Sequence, residues 1–228
     1  MKKYLLLLST LAILIAPVSA NAGEYGLGVT IASNSLDTAG KEDVDSNGTI
    51  DATKNVSDDI FTGSVFAEYT AIEGNYGITF GVDYIPFDAD VDRRSISQSS
   101  LKDKDSGAAS SGTNSVSASI EDHLTFYVQP GVMMTDNSML YLTYGYVSAD
   151  INGKSTSLSH TDIDQSKSLD GTKIGVGMKY SDSNSGLFFK IDASETEYDT
   201  VSFTTDNNTK ATADLDNTAI AISIGKTY

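Results

Sequence analysis

The chain of 228 residues has 15 basic and 31 acidic side chains, a formal charge of −16, and no cysteine. An acidic chain repels nucleic acid, so we expect no partner of that class, and without cysteine no disulfide contributes to the fold. After residue 22 no apolar run reaches the roughly 18 residues of a membrane helix, so the sequence predicts none.

The first 22 residues have the pattern of a secretory signal peptide. Lys2 and Lys3 precede an apolar run from Tyr4 to Ile15, and small residues follow up to Ala22. A basic start, a short apolar core and a small-residue cleavage site define such signals. We therefore expect cleavage after Ala22, with Ala20 as the alternative position; cleavage after Ala22 leaves residues 23–228 as the exported protein.

Eight segments of the mature chain alternate strictly between two kinds of side chain. In the last one, Ile220, Ile222 and Ile224 alternate with small or polar residues. Period-two alternation predicts strands, and large apolar residues facing small or polar ones are typical of membrane barrels, which are apolar outside. The predicted strands cover 25–32, 61–69, 76–84, 123–129, 140–147, 173–180, 187–192 and 218–228.

Long polar segments and short turns alternate between these strands. The long ones, about 34–59, 86–116, 148–170 and 195–217, are rich in Ser, Asp, Gly and Asn and are predicted to be extracellular loops. This order predicts an all-β fold, an eight-stranded antiparallel up-and-down transmembrane barrel. Outward aromatic residues would then form two interfacial girdles: Tyr25, Tyr69, Tyr76, Tyr180, Phe189 and Tyr228 at one end, and Phe61, Tyr84 and Tyr146 at the other.

The terminal aromatic strand and the glycine-alternating strands give the chain a family resemblance. It resembles small outer-membrane barrels of the OmpA, OmpX, OmpW and opacity-protein type, which some schemes group as a porin family. The resemblance implies the outer membrane of a Gram-negative bacterium, and contact with its lipid and lipopolysaccharide. It also implies that assembly machinery recognises a C-terminal signal formed by Ile220, Ile222, Ile224 and Tyr228.

Charged side chains on the predicted inner faces form a candidate polar network. A membrane barrel turns its charges toward the lumen, where they can pair or meet water. The network is either a structural plug or a selective polar conduit. An eight-stranded barrel has little free interior, and Phe66, Tyr127, Tyr141 and Phe188 would fill more of it. The predicted members are Glu68, Asp83, Glu121, His123, Lys173, Lys179, Lys190 and Asp192.

The first long segment contains a partial match to a calcium-binding loop. Asp43, Asp45, Asn47 and Asp51 have the spacing of oxygen ligands, and glycine occupies the sixth position. The twelfth position is Lys54 where a bidentate glutamate is required, so we expect weak calcium binding at most and no other cofactor.

For function, the sequence favours a non-enzymatic barrel that anchors acidic surface loops in a structural, adhesive or environmental role. The alternative is a narrow porin-like channel for small solutes or apolar compounds. A lipid A-modifying enzyme is more remote: its base would be His123 or His160, since the chain has two histidines. We therefore expect no enzyme and no catalytic residue.

Overall fold

The computed structural model describes residues 23–43, 46–102, 109–156, 163–204 and 210–228. These residues form ten strands in one sheet. Among them, no helix has the length and apolar character needed to cross a membrane. The strands are β1 (Glu24–Asp43), β2 (Ala52–Glu73), β3 (Tyr76–Tyr84), β4 (Ala89–Lys102), β5 (Ala109–Thr135), β6 (Ser138–Thr156), β7 (Ile163–Ser181), β8 (Leu187–Tyr198), β9 (Val201–Thr204) and β10 (Lys210–Thr227).

The sheet closes on itself as a ring of eight antiparallel strands. The order around the ring is β1-β2-β3-β5-β6-β7-β8-β10, and β10 pairs with β1 to close it. Strands β4 and β9, which lie outside the ring, extend it at one end by pairing with β5 and β10. Tight turns join strands at the other end, where Gly74 (φ 59°) and Gly186 (φ 71°) adopt the left-handed conformation that glycine tolerates. The predicted eight-stranded antiparallel barrel is confirmed.

The four segments predicted as loops are strands for most of their described length. Strand β1 continues to Asp43, β2 begins at Ala52, and β5 has 27 residues from Ala109. Likewise β6 and β7 pair from Ser155 and Ile163 inward, and β10 begins at Lys210. The loop prediction is therefore wrong at 34–43, 52–59 and the corresponding parts of the other three segments. Polar strands have the composition of loops, and only their pairing with neighbours distinguishes them.

The alternation of side chains inverts along each long strand. On β1 the outward face changes from Ile31 to Asp37, while the inward face changes from Asn34 to Leu36, with no change of register. The lower part is thus apolar outside and polar inside, and the upper part is the reverse. We call the lower outward surface the belt: it includes Leu27, Val29, Ile31, Val65, Phe80, Leu142, Tyr144, Val176, Met178, Phe189, Ile191, Ile220, Ile222 and Ile224, all at least 43% exposed.

The upper part, which we call the collar, has its own apolar core. The collar comprises residues 33–43, 52–59, 109–121, 148–156, 163–170, 195–204 and 210–217, and the adjoining rim residue Val147 also packs into its core. Val147 and Leu169 are 0% exposed and Leu215 is 1% exposed. Burial of apolar surface is the main force that stabilises a fold in water, so the collar is a folded structure. The core consists of Leu36, Ile120, Val147, Ala149, Ile151, Leu169, Tyr198, Val201 and Leu215.

Aromatic side chains lie at both edges of the belt. At the turn end, Tyr25 and Tyr69 are opposite each other on β1 and β2, with ring centroids 5.0 Å apart. At the collar end, Tyr84 and Tyr146 lie on neighbouring levels of β3 and β6. Amphipathic rings favour the two membrane interfaces, so the two girdles mark the belt as the lipid-facing surface.

Candidate functional site

Glu68 is the centre of a buried ionic cluster in the barrel lumen. Its two carboxylate oxygens accept hydrogen bonds from Lys179 Nζ at 2.8 Å and Lys190 Nζ at 2.9 Å. Tyr127 donates its hydroxyl to Glu68 Oε2 at 3.0 Å. The side chains of the three charged residues are 1–5% exposed. Ion pairing with direct hydrogen bonds offsets the desolvation cost of burying these three charges. We call Glu68, Lys179 and Lys190 the ionic cluster.

Aromatic rings surround the two lysines and fill the remaining lumen. Lys179 Nζ lies 4.2 Å from the centroid of the Phe188 ring, and Lys190 Nζ lies 5.0 Å from that of Phe66. A cation over a ring face is attracted by its quadrupole. Glycines make room for the rings: a Cβ at Gly81 would lie 2.2 Å from the Tyr127 ring. Cluster and rings together obstruct the lumen at this level.

A polar cavity of about 100 Å³ lies between the ionic cluster and the collar core. Asp83 accepts a hydrogen bond from Ser64 at 2.7 Å, and Asp192 accepts one from Tyr141 at 2.6 Å. Lys173 also lines the cavity. The structure thus brings seven of the eight predicted network residues together: three in the ionic cluster, and Asp83, Lys173, Asp192 and His123 around the cavity.

His123 lies at the collar end of this cavity. Its Nε2 is 3.0 Å from the hydroxyl of Tyr198, and the two rings meet edge to face. Tyr198 lies inside a segment that the sequence predicted as loop, so this partner was missed. The alternation of Thr196 and Tyr198 with Glu195 and Glu197 was the available signal in the sequence.

The prediction that Glu121 faces the lumen is wrong. The register between β5 and β6 shifts between Glu121 and Leu124, and Asp122 has a positive φ of 52°. This irregularity, a β-bulge, reverses the parity of the strand. Ile120 consequently enters the collar core, and Glu121 faces outward, where Ser119 donates to its carboxylate at 3.1 Å.

The predicted calcium loop is a hydrogen-bonded turn in the structure. The carboxylate of Asp43 accepts the backbone N–H groups of Asn47 at 3.0 Å and Gly48 at 2.7 Å. The side-chain oxygen of Asn47 accepts the N–H of Thr49 at 2.8 Å. These oxygens therefore hold the turn itself. Asp51 lies beside the turn, where its N–H donates to Glu42, and Asp45 lies outside the described residues. Weak calcium binding stays a prediction.

The predicted C-terminal signal forms the closing strand of the barrel. Ile220, Ile222 and Ile224 are 61%, 63% and 43% exposed on the belt. Tyr228 follows the strand and donates its N–H to the carbonyl of Tyr25 at 2.9 Å. Recognition by assembly machinery stays a prediction. Both the signal peptide, residues 1–22, and His160 lie outside the described residues.

Comparisons with known proteins identify the fold. No family model and no curated protein sequence matches the chain. Among solved structures, the outer-membrane protease OmpT from Escherichia coli has 10% identity and a TM-score of 0.52, covering 93% of this chain and 100% of that one. Ail of Yersinia pestis, in complex with the heparin analogue sucrose octasulfate, has 14% identity and a TM-score of 0.40, covering 90% and 99%. A FadL homologue of Pseudomonas aeruginosa has 8% identity and a TM-score of 0.34, covering 90% of each chain.

The chain therefore has the β-barrel fold of outer-membrane proteins such as OmpT. The prediction that the chain is not an enzyme is wrong as an inference from this fold. A protease is built on the same architecture, so the barrel does not exclude catalysis.

Proposed function

We propose that the barrel anchors an acidic, folded collar at the cell surface, where the collar contacts the surroundings of the outer membrane. The observation that carries this proposal is the inversion of the alternation above the belt. Leu36 and Leu215 turn inward at the levels where Asp37 and Asp216 turn outward. A core under a charged surface makes the collar a rigid platform, whereas loops would have to become ordered on binding.

The charge of this platform indicates the chemistry of its partner. Asp37 is opposite Asp216, and Asp216 is opposite Glu197, so three carboxylates face outward side by side on three strands. Like charges directly opposite one another destabilise a sheet. Divalent cations shared with phosphate groups relieve such repulsion. We therefore propose that the collar associates with the phosphorylated lipopolysaccharide around it through divalent cations.

The lumen supports an anchor in preference to the alternative of a narrow channel. Solutes that pass through the barrel axis would have to displace the ionic cluster and the Phe66 and Phe188 rings, which are 5% and 0% exposed. Separating the buried charges of Glu68, Lys179 and Lys190 costs free energy because none of the three becomes fully hydrated inside the lumen.

Two measurements on the refolded mature protein test the proposal. In planar bilayers we expect no persistent current steps once insertion is verified. In nanodiscs we expect Mg²⁺-dependent binding to immobilised lipopolysaccharide, which EDTA abolishes. The triple variant Asp37→Asn, Glu197→Gln, Asp216→Asn should weaken this binding.

A matched control removes three carboxylates from the turn end: Glu24→Gln, Glu73→Gln, Asp136→Asn. This variant has the same net charge as the collar variant and should bind as the parent does. Reproducible current steps would refute the closed anchor. Equal binding by the two triple variants would refute the collar as the contact surface.

A further inference from the structure

The wall of the barrel has a notch at the collar edge of the belt, beside β2. The ladder between β2 and β3 ends where Val65 pairs with Tyr84. Beyond it β2 continues to Ala52 with β1 as its partner, whereas the chain after Tyr84 leaves the sheet until β4 pairs with β5. In the described part of the chain no ladder joins β2 to β4. Among the described residues, this edge of β2 consequently has no paired strand from residue 64 outward.

A groove of about 460 Å³ occupies this notch. Phe61 and Phe87, which flank it, are 81% and 72% exposed. Gly63 lies between Phe61 and Val65 on the outward face of β2, and the nearest atom to a Cβ there would be the Thr30 carbonyl oxygen at 3.9 Å. The groove is thus open toward lipid and deepened by a missing side chain. Its lining is Ile60, Phe61, Thr62, Gly63, Ile85, Phe87 and Asp88.

We propose that this groove binds one acyl chain of lipopolysaccharide. The inference rests on the proposed association with lipopolysaccharide and adds a site for its lipid part. The groove lies at the collar end of the belt, opposite the turns and the two described termini, and so faces the outer leaflet, which consists of lipopolysaccharide. Four of its seven lining residues, Ile60, Phe61, Ile85 and Phe87, are apolar and offer the contacts that an acyl chain requires.

The polar groups at the notch match the remainder of such a lipid. The open edge of β2 presents backbone groups at the border of the belt, and unsatisfied backbone groups are costly in hydrocarbon. Ester carbonyls and hydroxyls lie at this depth in an acylated glycolipid and can accept or donate hydrogen bonds at this edge. Asp88 marks the water end of the groove, and Ile85 and Thr62 at its inner end also line the lumen cavity.

Binding of lipid A to the detergent-solubilised mature protein, followed by native mass spectrometry in EDTA, tests the proposal. EDTA removes the cation-dependent contribution of the collar, so this result is independent of the collar variants. We expect one lipid A per barrel. Gly63→Leu should fill the groove and weaken binding about tenfold, the effect of displacing roughly two methylene groups.

Ala67→Leu is the matched control, since Ala67 occupies the same outward row of β2 where both neighbouring strands are paired. It should bind as the parent does. If Gly63→Leu fails to fold by heat-dependent gel mobility, Phe87→Ala with the belt control Phe189→Ala replaces it. Equal binding by test and control variants overturns the proposal. Retention of phosphatidylethanolamine equal to that of lipid A would also overturn it, because the groove would then be a general acyl-chain site. Detection of a dimer mass would overturn it as well, because a second copy of the chain would then cover the edge of β2.

Discussion

Substitution of Glu68 should be among the most destabilising single changes in the lumen. Glu68→Gln keeps the shape of the side chain but removes the carboxylate that pairs directly with the ammonium groups of Lys179 and Lys190, which are 4% and 6% exposed. Removing one partner of a buried pair costs about 3–5 kcal/mol, because the remaining charge stays buried. We expect a loss of that size in the free energy of unfolding.

Lys179→Met should be milder, although it breaks the same contact. Glu68 and Lys190 remain as a pair at 2.9 Å, so no charge is left alone. The variant loses the bonds of Lys179 to Glu68 and Thr70, and hydrogen bonds to charged groups are worth about 1.5–3 kcal/mol. The order of the two variants therefore separates charge burial from simple loss of contact.

Urea titration of the protein in lipid vesicles, followed by heat-dependent gel mobility, gives these free energies by linear extrapolation. Lys41→Met is the control: its pair with Asp214 has the same chemistry at 3.0 Å, with side chains 47% and 42% exposed. Exposed pairs contribute at most about 1 kcal/mol. A loss below about 1 kcal/mol for Glu68→Gln, or a larger loss for Lys179→Met, would refute the reasoning.

Three further substitutions test other parts of the molecule. Leu215→Ala leaves a cavity in the collar core and should lower the free energy of unfolding of the collar by about 2–5 kcal/mol. Relative to the parent protein, backbone hydrogen exchange should become faster in the collar than in the belt. An equal acceleration in both regions would contradict a separate collar core. Gly28→Ala places a Cβ 2.4 Å from the Ile224 carbonyl oxygen, so the yield of folded barrel should fall sharply, and an unchanged yield would contradict the tight β1–β10 seam. The pKa of Asp182 is lowered, first by the Ser185 hydroxyl and then by backbone N–H bonds. The turn it holds is therefore stable above the ordinary carboxyl pKa and loosens as the pH falls through the lowered value. Ser185→Ala should raise this pKa in an NMR titration; an unchanged titration curve would rule out the hydroxyl as its cause.

The sequence was sufficient for the belt because lipid imposes a strong alternation there. Ile220, Ile222 and Ile224 can face only one way in a membrane barrel. The collar was missed because its strands use Ser, Thr and Asp, the residues of loops, and because a ladder such as that between β1 and β10 joins residues far apart in sequence. Leu36 and Leu215 were the available signal, since each alternates with an aspartate, but one apolar residue among many polar ones is a weak pattern.

The ionic cluster was predicted only as a set of inward residues. Alternation places Glu68, Lys179 and Lys190 inside the barrel. Their contact, however, depends on how far each strand is staggered against the next, because the two lysines are 111 and 122 positions from Glu68 in the sequence. Stagger is a property of the closed barrel. Glu121 failed for a local reason, because a bulge changes parity and leaves no clear mark in the sequence.

The abrupt border between belt and collar fixes how deep the barrel sits. On β2 the outward face passes from Phe61 to Asp59 within two residues, about 6–7 Å along the strand. A shift of that size toward the periplasm would draw carboxylates into hydrocarbon, and the opposite shift would expose the belt to water. In a bilayer that is too thick or too thin, the lipid must therefore deform to match the protein. The stability of the barrel should therefore depend on bilayer thickness, and it should be highest in lipids whose hydrocarbon layer equals the height of the belt.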